Sequence, residues 1–267
     1  MKISLKKIRL DLKVNWKLSR NETLYKENFI LSLDDSGIIG LGEIAPNIRY
    51  DETAEKIEQD YNFLIKRIEQ ESIEEILKEN TFCNSFNFAL DSALLHLNSL
   101  KSNKRIHELL ELAQPRPIKT SYTVPIMDES RLKDYLLSIE QFDYVKIKVN
   151  KDNAVSFCKK IAELTDKKLR IDGNEAWSSI EDYLDFEENI KDLNIEFIEQ
   201  PFSSNRVDLY LKLKPISKFL LMADESITAH VDFDEIEKCF HGVNVKLMKA
   251  RSFTNAISLL QLSLIHI

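Results

Sequence analysis

The rhythm of apolar and polar residues changes near residue 115. Before it, Ile3, Leu5, Ile8, Leu10 and Leu12 recur at an imperfect period of two, and the run Asn28 to Leu33 follows the same logic, so strands are predicted over 1–14 and 26–34. Asp34-Asp35-Ser36-Gly37 is a turn signal ahead of a third strand, Ile38 to Glu43, which gives an antiparallel meander. The polar stretch from Val14 to Lys26 is long for a hairpin loop, and loops of that kind are often functional. Helical spacing follows. Ile57, Tyr61, Leu64, Ile65 and Ile68 share one face of a helix over 53–69, Ser72 and Glu75 form a capping-box pattern, and Phe88, Ala89, Ala93, Leu94 and Leu97 mark a buried helix over 86–100. A short helix over 105–112 ends at Gln114-Pro115-Arg116-Pro117.

That break divides a capping domain, 1–115, from a second domain, 116–267. In the second domain strands are predicted near 120–126, 144–149, 168–172, 195–198, 219–223 and 243–247, with helices near 129–140, 151–165, 179–192, 206–213, 231–239 and 252–263. A repeat of roughly 21 to 27 residues is that of a βα unit. The fold class is α/β: an α+β capping domain followed by a (β/α) barrel. A closed barrel of this kind has eight units. Six are found here, so the barrel is expected to stop about two units early.

Composition narrows the function. At 43% hydrophobic and 30% charged residues the chain is an ordinary globular one, and a net charge of -7 argues against a nucleic-acid partner. No apolar run is long enough for a membrane span, and the alternating N-terminus, Met1 to Ile8, reads as a strand rather than a secretory signal. Cys83, Cys158 and Cys239 form no Cys-x-x-Cys pair, so reduced thiols and a cytoplasmic setting are the default. The five histidines show no metal-ligand spacing. Assembly into a homo-oligomer is left open.

The candidate chemistry lies where apolar runs end in charge. The runs finish with Lys146-x-Lys148, Asp172-x-Asn174, Glu199-Gln200-Pro201, Asp224-Glu225-Ser226 and Asn244-x-Lys246-x-x-Lys249. In a barrel of parallel strands these ends meet at one mouth. Converging acids suggest a metal, and lysines facing each other across it suggest proton transfer. Taken singly, each motif has an ordinary reading: a solvated strand face, a turn, a strand exit or a helix cap. Their joint occurrence, in order and at βα spacing, is what sets them apart.

This ordered series resembles the enolase superfamily, and within it the muconate lactonizing enzyme subgroup. Gly42-Glu43-x-x-Pro46 and the Phe88 to Leu95 stretch add to the likeness, which covers essentially the whole chain. The resemblance implies that Asp172, Glu199 and Asp224 bind one Mg²⁺, a hard cation that prefers oxygen ligands. It implies that Lys148 and Lys246 are the acid/base pair on opposite faces of a substrate carboxylic acid. A lysine base beside Mg²⁺ and an ene-diolate is the known pattern of that superfamily. A base must be neutral to accept a proton, and lysine, with a reference pKa of roughly 10.4, is pushed down by burial and nearby cations. Lys146 is expected to point away from Lys148 while adding positive potential. Asn174 and Glu225 are expected as supporting groups around the ligands.

Among the reactions of the subgroup, Asn244 to Lys249 looks most like the dipeptide epimerases. The implied activity is a 1,1-proton transfer on a dipeptide such as L-Ala-D/L-Glu, with o-succinylbenzoate synthase and muconate cycloisomerase as alternatives. An inactive truncated chain is the alternative of another class. Two glycines normally follow this run in that family, whereas Ala250-Arg251-Ser252 stand here, which puts the local turn in question. Substrate contacts are expected from Arg20 and Tyr50 in the capping loops and from Tyr122 and Thr123 on the first barrel strand.

Overall fold

The computed structural model describes residues 1–17 and 22–266, with side chains described for 1–12 and 24–263. Its first unit comprises Met1–Leu12, Tyr25–Arg116 and Val245–Gln261. A three-stranded sheet runs in the order β1 (Lys2–Lys17), β2 (Glu22–Asp35), β3 (Ile38–Ile44). β1 and β2 both reach well into the stretch read as a long loop from Val14 to Lys26. Val14, Trp16, Leu24 and Tyr25 favour extended backbone, and no glycine or proline interrupts them.

Helices α1 (Ala54–Arg67), α2 (Ile73–Glu79), α3 (Asn84–Ser102) and α4 (Ile106–Leu109) follow. Thr53 caps α1 through its side chain, and α2 opens with the reciprocal capping box expected of Ser72 and Glu75. β3 alternates exposed and buried residues, and its buried glycines let α3 lie almost on the strand. A Cβ at Gly42 would fall 1.9 Å from the Ala89 carbonyl oxygen, and one at Gly40 2.1 Å from that of Ala93. Ala89 and Ala93 complete the close approach, which is why small residues recur on both surfaces. Phe29, Leu31, Leu33 and Ile44 from the sheet and Phe86, Leu90 and Leu97 from α3 form the core.

The second unit centres on Pro117–Asn244. Six parallel strands lie in sequence order: β4 (Ser121–Val124), β5 (Tyr144–Lys148), β6 (Lys168–Asp172), β7 (Ile195–Glu199), β8 (Leu220–Ala223) and β9 (Gly242–Val243). Between them run α5 (Leu132–Ser138), α6 (Ala154–Leu164), α7 (Ile180–Ile190), α8 (Val207–Leu213) and α9 (Phe233–Cys239). Trp177, Tyr183, Phe186, Phe202, Tyr210 and Phe240 stack in a continuous chain of ring contacts behind the ends of β6 and β7. Aromatic packing of this kind fixes the strand ends against α7 and α8.

The sixth strand is shorter than expected. β9 pairs with β8 only at Met222↔Gly242 and Ala223↔Val243, and the Asn244 N–H makes a further bond to the Ala223 carbonyl at 2.7 Å. β8 ends there, so the chain turns into the short helix α10 (Leu247–Ala250) and then α11 (Phe253–His266). Both helices start within the segment that joins the first unit.

Candidate active site

Strand register brings the charged ends level. Lys148 lies opposite Asp172, and Asp172 opposite Glu199. Asp224 stands just past the end of β8. Asp172 and Glu199 are each 1% exposed and Asp224 2%, so three carboxylates are withdrawn from water at adjacent strand ends. Isolated, such charges would be strongly disfavoured.

Two lysines answer them. Lys146 donates to Glu199 Oε2 at 2.6 Å and sits 2.9 Å from Asp172 Oδ2. Lys148 donates to Asp172 Oδ2 and to Asn174 Oδ1, both at 2.8 Å. Lys146 and Lys148 therefore meet on the same carboxylate oxygen, which corrects the expectation that they point apart: residues two apart on a strand share a face. Asn244 donates to Glu199 Oε1 at 2.9 Å. Burial would raise the Asp172 carboxyl, but Lys148 and Lys146 outweigh it and hold it below the ordinary carboxylate value. Glu199 is raised, first by burial and then by Asp172, with Asp224 adding to the repulsion. Lys146 loses by burial and gains more from Asp172 and Glu199, so it stays firmly protonated.

The backbone is bent to present these groups. Asn174, Glu175 and Gln200 adopt left-handed angles, with φ of 44°, 61° and 41°. Non-glycine residues in that region are uncommon and gather at functional sites. Gly173 allows the crossing: a Cβ there would lie 2.9 Å from the Trp177 ring and 3.1 Å from Pro201 Cα. The Asp172 side chain accepts the Asn174 N–H at 3.2 Å, a local turn that acidic residues favour. Below the acids, a cavity of about 360 Å³ is lined by Ser121, Lys146, Arg170, Phe197, Glu199 and Asn244, among others. Arg170 reaches Glu196 at 2.5 Å and lies over the rings of Tyr144 and Phe197 at 4.0 and 5.3 Å. Arg170 has no role in the sequence reading, and Gln200 enters it only within the Glu199-Gln200-Pro201 motif; a charged residue inside an apolar strand run is the available sign for Arg170.

The remaining expected residues stand on other elements or outside the described residues. Thr123 lies in register with Lys146, but Tyr122 is 42% exposed and stacks on Phe142 at 4.7 Å, on the other face of β4. Glu225 is half-buried beside Asp224. Tyr50 closes a one-turn helix in the first unit, and Arg20 lies outside the described residues. Lys246 is in the first unit as the residue capping the start of α10, rather than on a strand. At the other end of α10, Arg251 takes φ 68°, the conformation for which glycine was expected. Its side chain offsets the strain by donating to Asn84 Oδ1 at 2.6 Å and to the Asn80 carbonyl at 3.2 Å, while Asp91 accepts the Phe253 N–H at 2.9 Å.

Among the described residues, no three acid, histidine or cysteine side chains converge as a formed metal cluster. Lys146 stands between two of the acids instead. The donor set nevertheless suits a hard divalent cation: it is all oxygen, buried, and still mutually repelling at Glu199.

A family model described as Enolase C-terminal domain-like matches residues 131–264. The chain belongs to that family. A curated L-Ala-D/L-amino acid epimerase from Pedosphaera parvula is 32% identical over 86% of this chain and 69% of its own length. Another of the same description, from Maribacter, is 29% identical over 98% of this chain and 79% of its own. The substrate-liganded L-Ala-D/L-Glu epimerase from Bacillus subtilis has the same fold, with a TM-score of 0.89 at 22% identity over 99% of this chain and 79% of that one. A dipeptide epimerase from Cytophaga hutchinsonii, complexed with Mg and D-Ala-L-Val, gives 0.87 at 24% identity, covering 98% and 76%. The curated relatives are epimerases, which are isomerases by class, and the solved structures match the fold of this chain.

Proposed function

We propose that the chain is a Mg²⁺-dependent dipeptide epimerase, removing the proton α to a carboxylate on one face and returning it on the other. The observation that carries this reading is the buried array Lys148–Asp172–Lys146–Glu199 on three adjacent strand ends. An acid-rich site with a lysine held in place is what proton abstraction beside a carboxylate needs. The names of the curated relatives point to dipeptides such as L-Ala-D/L-Glu as the substrate class.

In this reading Asp172, Glu199 and Asp224 hold the ion. When bound, Mg²⁺ would neutralise the substrate carboxylate and stabilise the charge that builds as the α-proton leaves. Lys148 is the base on one face. Two of its three donor directions are taken by Asp172 and Asn174, which orients the nitrogen. Lys146 steadies both carboxylates, Asp172 and Glu199. Lys246 returns the proton on the opposite face. Thr123, Arg20 and Tyr50 are assigned to substrate contact, with Tyr122 left to packing. Three free cysteines accord with a cytoplasmic setting.

The test is incubation with L-Ala-L-Glu and Mg²⁺ in deuterated water. Deuterium at the glutamate α-carbon together with L-Ala-D-Glu is the expected outcome. Formation of o-succinylbenzoate from its hydroxy-acid precursor, with no dipeptide exchange, would redirect the assignment to a dehydratase. Neither reaction would leave a chain without catalytic activity.

A further inference from the structure

Gln200 carries a chemistry that the proton-transfer scheme does not use. The residue is 0% exposed and sits in the left-handed region at φ 41°, directly after Glu199. Its amide oxygen accepts the N–H of Asp224 at 2.8 Å and that of Ser226 at 3.2 Å. Its amide nitrogen donates to Tyr210 Oη and Ser226 Oγ, both at 2.8 Å, and approaches the Phe202 carbonyl at 3.3 Å. Both ends of one side chain are therefore fully engaged. Tyr210 is itself locked, accepting the Phe202 N–H at 3.0 Å and donating to the Phe202 carbonyl.

The backbone of the same residue continues the pattern. The Gln200 N–H bonds to the Met222 carbonyl at 2.9 Å, and its carbonyl accepts the Glu175 N–H at 2.8 Å. One residue thus joins the ends of β6, β7 and β8, the three strand ends that present Asp172, Glu199 and Asp224. The turn from Asp224 to Ser226 wraps two N–H groups around the amide oxygen, as such turns do around an anion. Asparagine would be one methylene short of this reach. Glutamate would add a fourth negative charge beside three.

We infer that Gln200 is a positioning residue: it sets the spacing of the three carboxylates and thereby the affinity of the cluster for a divalent cation. The inference rests on the cation role assigned to those acids. A left-handed backbone at a fully buried glutamine is strain retained for a purpose, because a glycine there would turn more cheaply but would leave the β8 end untethered.

The experiment is Mg²⁺ titration by calorimetry on the purified chain, paired with thermal melting without the ion. The variants are Gln200→Met, which keeps length but no polar contact, and Tyr210→Phe, which removes only the hydroxyl holding the amide nitrogen. Ile161→Val in α6 is a control that loosens the fold away from the site. Gln200→Met is expected to weaken Mg²⁺ binding roughly tenfold to a hundredfold, the range for groups that orient metal ligands. Tyr210→Phe should weaken it by a smaller factor, and the double variant by no more than Gln200→Met alone. Ile161→Val should lower the melting temperature and leave the affinity unchanged. Parental affinity in both Gln200→Met and Tyr210→Phe, whatever their melting temperatures, would overturn the inference. If Gln200→Met does not fold, Tyr210→Phe decides alone. A parent chain that binds no Mg²⁺ at millimolar concentration would overturn the cation assignment itself, and this inference with it.

Discussion

Glu52 and Asp60 in the first unit are as withdrawn from water, at 1% and 4% exposure, as Asp172 and Glu199 in the second, at 1% each. Their surroundings differ in kind. Glu52 accepts the N–H groups of Ser85 and Asn47, and Asp60 accepts that of Cys83 along with the Lys56 ammonium. Both thus serve amides at the start of α3 that have no partner within the helix, where the capping residue Cys83 makes no side-chain cap bond. Asp172 and Glu199 face one another and share a lysine, and Glu199 is pushed up first by burial and then by Asp172. A buried acid that closes a helix end is satisfied by its fold. A buried acid among other acids keeps unspent electrostatic energy, which a ligand can release.

The contrast can be broken in the laboratory, starting with the proposed chemistry. Lys148→Ala should reduce α-proton exchange on L-Ala-L-Glu by roughly 10²- to 10⁴-fold, the usual contribution of a positioned base, with a proportionately smaller loss of stability because Lys146 still pairs with Asp172. An equal loss of stability and activity would place Lys148 with the structural groups. Gly42→Ala should be the most damaging change in the first unit. Its methyl would collide with the Ala89 carbonyl, and overpacking of that kind destabilises by about 1–3 kcal/mol or more, read by urea unfolding. Glu52→Gln keeps one acceptor oxygen but turns an amide donor toward the N–H of either Asn47 or Ser85, at a cost of about 1–3 kcal/mol. It should leave Mg²⁺ affinity untouched, whereas Glu199→Gln should lower that affinity and spare stability. The reverse pairing would erase the distinction.

The smallest effect concerns a neutral group. His241 accepts the Leu221 N–H on its Nδ1 at 3.0 Å, so the ring must stay unprotonated there. Burial, and then Lys214, hold its pKa below the ordinary value of 6.5. With the folded value beneath the unfolded one, the unfolded chain binds the extra proton. Stability is then complete above about pH 6.5 and falls as pH drops through and below that point. Melting curves between pH 7.5 and 5 should show a modest decline that His241→Gln flattens.

Much of this was legible before any coordinates. Strand ends such as Ile171-Asp172 and Ile198-Glu199 combine β-favouring residues with a charge, and the repeat between them gives parallel order. Local signals also carried the capping box at Ser72, because its partners are three residues apart. What escaped depended on neighbours distant in sequence. β9 ends at Val243 because β8 ends at Ala223, twenty residues earlier in the chain. Gln200 reads as part of a strand exit until Tyr210 and Ser226 are seen around it. Arg251 stands where the resembling family carries glycine because Asn80, at the end of α2, and Asn84, at the start of α3, supply partners from far upstream.

Arg251 also bears on how such chains can be recombined. The segment from Val245 to Gln261 follows the sheet in sequence but is a member of the first unit, bound to α3 through Arg251 and Asp91. A crossover made at Pro117 would part Lys246 from the helices that hold it. Hybrids with another family member should retain function only when the stretch after Asn244 is inherited from the same parent as α3.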